Sequence, residues 1–198
     1  MAKSSTKTLT LLVFAVIIGI AYGAPRFFDR LWLPWAYPRG GGKPLPSIWV
    51  GSLTTATGQR FGILLDLRLR TYYGTRGGRD WRSAPYGSFD GTLRSCDASG
   101  TIQEYKVSGS AEDRHASKVH IYGAPVEKPP HQGLTFSWFN GTWDGADDLE
   151  LAANIFIRRG KGSTTGPDFP DTQTHPRLAL TRAAETDFTA LCARLSRA

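Results

Sequence analysis

Strict alternation of apolar and polar residues over two long stretches constrains the fold of this chain more than any other feature. From Phe61 to Arg70, Ile63, Leu65, Leu67 and Leu69 fall on one side, with Asp66, Arg68 and Arg70 on the other beside Leu64. From Leu149 to Ile157 the pattern repeats, Leu149, Leu151, Ala153, Ile155 and Ile157 sharing one side. Successive side chains of a strand point to opposite faces, so a period of two predicts strands with one buried face. Shorter strands are predicted at 48–53, 91–96, 101–108, 118–122, 134–139 and 178–181, with turn residues between them. Asp97-Ala98-Ser99-Gly100 and Asn140-Gly141 read as tight hairpin turns. Helical spacing occurs only near the C-terminus, where Phe188, Leu191, Cys192 and Leu195 form one stripe of a helix over 183–195.

These elements predict a mainly β domain, an antiparallel meander of about eight strands followed by a C-terminal helix. The pattern leaves open whether the meander closes into a small barrel or folds as a two-sheet sandwich. In outline it resembles the lipocalin-like barrels. That family carries a Gly-x-Trp signature on its first strand, whereas here Gly141-Thr142-Trp143 falls late and Trp49-Val50-Gly51 has the order reversed. The resemblance therefore concerns the fold alone.

Ahead of the domain, Thr8 to Ala24 is an uncharged apolar run preceded by Lys3 and Lys7, the layout of an export signal or a membrane anchor. Ala21-Tyr22-Gly23 offers a cleavage site that the nearby Pro25 weakens. Phe27, Phe28, Trp32, Trp35 and Tyr37 follow, with Arg26 and Arg30 among them, as in a belt at headgroup level. The expected organisation is a transmembrane or signal helix over 1–25, an aromatic and basic juxtamembrane segment with a Gly/Pro tether over 26–46, and a β-rich domain over 47–198 facing the envelope. The domain is then anchored at the inner membrane and periplasmic or extracellular, or secreted after cleavage.

Charge sharpens the choice of partner. The chain has 24 Lys and Arg against 17 Asp and Glu. Much of the excess lies in Met1–Pro46 and in Arg60–Tyr86, which favours anionic partners. Within the second stretch Arg70, Arg76, Arg79 and Arg82 interleave with Tyr72, Tyr73, Trp81 and Tyr86 across a glycine-rich segment. Guanidinium forks chelate phosphate or carboxylate and aromatic faces stack on rings, so these eight residues form the candidate ligand-binding loop. An ordinary surface loop whose arginines stack on its own aromatics is the competing reading.

No nucleophile elbow, zinc-protease, Cys-x-x-Cys or phosphate-loop pattern is present. His115, His120, His131 and His175 are widely spaced and read as surface residues, so neither metal nor cofactor is expected. Asp144, Asp147, Asp148 and Glu150 read as a solvated turn rather than a calcium loop. Asn140-Gly141-Thr142 is formally a glycosylation sequon. The two cysteines, Cys96 and Cys192, are expected to form a disulfide, Cys96 leaving the barrel wall outward toward a helix packed outside it.

Taken as expectations, these features describe a membrane-tethered extracytoplasmic module that binds an anionic lipid, a glycan or an envelope protein, with nucleic acid disfavoured. A barrel holding a small apolar ligand and an enzyme without a local signature are the rivals.

Overall fold

The structure is a computed structural model that describes residues 13–14, 16–19, 31, 33–38, 42–55, 58–70, 86–127, 132–159, 164–167 and 176–197, with backbone alone at 132–135, 155–159 and 164–167. Nine strands are present among them: β1 (Ile48–Thr54), β2 (Arg60–Leu69), β3 (Ser88–Cys96), β4 (Ile102–Ala111), β5 (Lys118–Pro125), β6 (Gln132–Trp143), β7 (Asp148–Arg159), β8 (Thr164–Pro167) and β9 (Arg177–Arg182). Helix α1 (Glu185–Leu195) follows. Each of the eight predicted strands overlaps an observed one. The short β8 had no alternation to announce it.

Strands β1 to β7 pair in succession, β9 joins β7, and β9 also pairs with β1, all antiparallel. Eight strands thus close into a barrel, which settles the choice between barrel and sandwich. Strand β8 stands outside the ring: β9 covers Asp148–Ala152 of β7, whereas β8 pairs at Phe156 and Arg158. Closure removes free sheet edges from the ring.

The alternating residues meet inside. Trp49, Leu53, Ile63, Leu65, Phe89, Leu93, Tyr105, Ile121, Phe136, Phe139, Leu149 and Leu180 are buried in one cluster. Each such side chain contributes roughly 1.5–3 kcal/mol through removal of its surface from water. An eight-strand barrel is just wide enough for side chains to fill it, and the rings interlock, Tyr105 and Phe136 edge to face at 5.4 Å. The pairing of β6 with β7 shifts between Phe136 and Trp138, a bulge at Ser137 that lets Phe136 and Phe139 both face inward.

Two sequence expectations are corrected. Asn140-Gly141 is not a turn; it lies within β6, and the β6–β7 turn is formed by 144–147. Gly141 is needed for a different reason, because a Cβ there would stand 2.0 Å from the Glu150 carbonyl oxygen of β7. Trp35 is not a headgroup-belt residue. It is 2% exposed and Leu45, within the expected tether, is 0% exposed, both in the barrel core with Leu33. The open end of a filled barrel exposes apolar rings, and this segment covers them.

Helix α1 lies outside the barrel. Phe188 packs with Val50 and Leu64, the outward apolar residues of β1 and β2, together with Leu191, Cys192 and Leu195. This explains the apolar Leu64 on an otherwise polar face. The outward position of Gly62 admits the helix, since a Cβ would meet Cys96 Sγ at 2.8 Å and Leu191 at 3.2 Å.

Of the apolar N-terminal run, 13–14 and 16–19 are helical, and Val13, Phe14, Val16, Ile17 and Ile18 are exposed. Among the described residues no helix is long and apolar enough to cross a membrane. The rest of the expected 1–25 helix lies outside the described residues.

Candidate functional site at the capped barrel end

At one end of the barrel lie the N-terminal segment, the start of β1, the end of β2, the start of β3 and the end of β9. The Trp35 indole N–H donates to the Tyr86 carbonyl at 2.9 Å, and its ring meets Phe89 edge to face at 6.2 Å. Gly87 sits at φ +91, where a Cβ would stand 2.7 Å from Leu33 and 2.8 Å from Trp35. Trp49 Nε1 donates to the Leu45 carbonyl at 3.1 Å.

Arg182 binds this cap together. Its guanidinium lies 4.6 Å over the Trp49 ring and donates to Asp147 Oδ1 at 3.2 Å, the Pro44 carbonyl at 2.7 Å and the Ala146 carbonyl at 3.0 Å. Lys43 pairs with the same carboxylate at 2.5 Å. The hydrogen bond from Lys43, with the charges of Lys43 and Arg182, holds Asp147 below the usual carboxylate range, outweighing the desolvation that acts the other way.

The candidate binding loop springs from the same end. Of its residues, Arg70 and Tyr86 are described, whereas Tyr72, Tyr73, Arg76, Arg79, Trp81 and Arg82 lie outside the described residues. Arg70 N–H donates to the Ser88 carbonyl at 3.0 Å, and Arg70 Nε approaches Asp90 Oδ2 at 3.3 Å. Tyr86 is exposed, with its carbonyl held by Trp35. The loop therefore starts and ends on residues tied to the N-terminal segment or to β3.

Other sequence candidates have structural employment. Asp144 Oδ1 accepts from the backbone N–H of Ala146 at 2.7 Å and of Asp148 at 3.2 Å, so the acidic cluster shapes a turn around Gly145 at φ +85. His115 is exposed, and His120 stands between the Glu112 carboxylate and the Asn140 side chain. His131 and His175 lie outside the described residues. Among the described residues no three His, Cys, Asp or Glu side chains converge as a metal site. Cys96 and Cys192 stand with Sγ atoms 1.98 Å apart and Cα atoms 5.9 Å apart, the distance of a disulfide.

Inside the barrel, Trp49, Phe89, Tyr105, Phe136 and Phe139 are fully buried in the core, which weighs against a ligand held there. Burial pushes the Tyr105 hydroxyl far above its ordinary pKa, with a hydrogen bond to Ser95 acting the other way, and the neutral O–H donates to Gln103 at 2.9 Å. On the outer wall, by contrast, an open groove of about 480 Å³ crosses β3, β4 and β5, lined by Asp90, Thr92, Lys106, Ser108, Tyr122 and Ala124 among others. Sequence reasoning passed over it. The available clue was Tyr122, a large ring on the polar side of its strand's alternation. No protein-family model matches the chain, and no curated protein matches its sequence.

Proposed function

We propose that the chain is a membrane-tethered extracytoplasmic barrel, periplasmic or extracellular, that acts as a binding or assembly module through the basic aromatic loop between β2 and β3. One observation carries the reading. The segment arriving from the apolar N-terminal stretch and the loop rich in arginine meet at the same barrel end, joined by the Trp35–Tyr86 hydrogen bond. A tether fixed there turns this end toward the membrane from which it comes. On this reading the arginines between Arg70 and Tyr86 in sequence attract an anionic surface, each basic residue contributing about 1 kcal/mol. The exposed Val13, Phe14, Val16, Ile17 and Ile18, which belong to neither apolar cluster of the barrel, support an apolar medium for the N-terminal helix.

Sedimentation with vesicles tests the reading. The chain lacking residues 1–25 should bind vesicles rich in phosphatidylglycerol more than pure phosphatidylcholine, and the preference should fade as salt shortens the screening length below about 8 Å. Changing Arg76, Arg79 and Arg82 together to Ala should abolish the preference while leaving the melting temperature in place. Binding by the triple variant that is undiminished and indifferent to salt removes the loop from the account.

A further inference from the structure

We infer that the groove across the outer wall of β3, β4 and β5 binds an acidic saccharide, Tyr122 stacking on a sugar ring and Lys106 pairing with its carboxylate. The inference deepens the preceding reading, on which it rests for the extracytoplasmic setting, by adding a second site and naming its ligand class. The groove is built by register. Asp90, Ser108 and Tyr122 stand opposite one another on β3, β4 and β5, and Thr92, Lys106 and Ala124 form the next outward rung. Tyr122 and Lys106 are thus diagonal neighbours on one face, within reach of a shared ligand. The small residues Ser108, Thr92, Ala124 and Gly123 leave the floor low between them.

Three features select the ligand. The Tyr122 ring is 60% exposed, a large aromatic face presented to solvent on the outer wall, and sugar C–H faces pack on such rings. Lys106 is exposed and has no carboxylate partner among the described residues, while Asp90 is already paired with Arg70 at 3.3 Å. The free charge in the groove is therefore positive. Hydroxyls of Thr92 and Ser108 and the Asp90 carboxylate line the same trough and can serve a polyhydroxy ligand. A peptide is disfavoured, because β3, β4 and β5 are each paired on both sides and cannot accept an added strand. The exposed lining of the trough is mostly apolar, as contact with sugar C–H faces requires, and an acyl chain is disfavoured because the trough lies open to solvent beside the Lys106 and Asp90 charges. The volume of about 480 Å³ lies within the usual span of small-ligand sites and suits a few sugar units.

Isothermal titration of the full chain with tetragalacturonate tests the inference, with maltotetraose supplying rings without charge and tetraglutamate supplying charge without rings. Tetragalacturonate should bind best of the three. Tyr122→Ala should weaken it about tenfold, with Tyr122→Trp restoring it, and Lys106→Ala should remove its salt dependence. Both positions are exposed, so an unchanged melting temperature confirms that the variants fold. Equal binding of tetraglutamate, no binding of tetragalacturonate, or full affinity in Tyr122→Ala overturns the inference. The vesicle-binding variant of Arg76, Arg79 and Arg82 keeps the groove intact, so failure of the loop and failure of the groove read out separately.

Discussion

Asp147 serves two cations of different origin, Lys43 from the N-terminal segment and Arg182 from the last strand. Their joint effect lowers its pKa from an ordinary value of 3.8. The sign follows from linkage: a depressed folded pKa contributes stability that is complete above the unfolded value and lost as pH falls through the folded one. Thermal melts of Asp147→Asn should therefore lie below wild type by a constant interval above about pH 5, and the two curves should converge below about pH 4. An interval unchanged into that acid range would mean that the ion pairs do not latch the cap. The carboxylate is exposed, so the effect is expected to be small. Nothing local in the sequence announces this role, for Asp147 sits in a run of acids that reads as a solvated turn. Gly141 illustrates the same limit. Asn-Gly is a turn signature by local conformation, yet here the glycine is required by an approach of another strand, which no neighbouring residue encodes.

At the scale of elements, helix α1 was legible in both existence and placement because its stripe of Phe188, Leu191, Cys192 and Leu195 needs a partner face. Strands β1 and β2 supply it through Val50 and Leu64, outward residues that break their strands' alternation. The parity of Cys96, three residues from the inward Leu93 and so on the opposite face, directs it toward that helix. The first turn of the helix adds electrostatic support: Asp187 accepts from the Ala184 N–H at 2.8 Å, and Arg94 pairs with Glu185 at 2.5 Å while lying 5.5 Å over the Phe188 ring. With the two cysteines 96 positions apart in sequence, the bond should contribute roughly 4–5 kcal/mol on the chain-entropy model. We expect Cys192→Ser to shift urea unfolding by an amount of that order. Non-reducing peptide mapping of protein from its native compartment should recover the Cys96–Cys192 crosslink, and two freely alkylated thiols would refute it. The short β8 carries no alternation by which a period of two could be read. The bulge at Ser137 does leave a trace, the three-residue spacing of the inward Phe136 and Phe139, but that spacing is assigned to a bulge only by the pairing with β7.

For the whole molecule, the decisive feature is that the chain does not begin its fold at β1. Leu33, Trp35 and Leu45 complete the core at the end where Trp49 and Phe89 would otherwise face water, so the segment ahead of the barrel is part of the barrel. An aromatic-rich stretch behind an apolar helix has two physical uses, interfacial anchoring and end capping, and its composition is the same for both. Only the closed ring, whose open end must be covered, distinguishes them for Trp35. A capping segment that is hydrogen-bonded to the base of the basic loop and salt-bridged to Asp147 is fixed to the barrel, which a free Gly/Pro tether would not be. Trp35→Ala separates the two uses. As a core truncation it should cost roughly 3–5 kcal/mol, and denaturant unfolding of the chain lacking residues 1–25 should show the loss in the absence of any membrane. As a belt residue it would leave that midpoint where it was and alter only vesicle binding. A destabilised variant whose exposed barrel end also binds a hydrophobic dye would establish the cap, whereas an unmoved midpoint would overturn the capping role of Trp35.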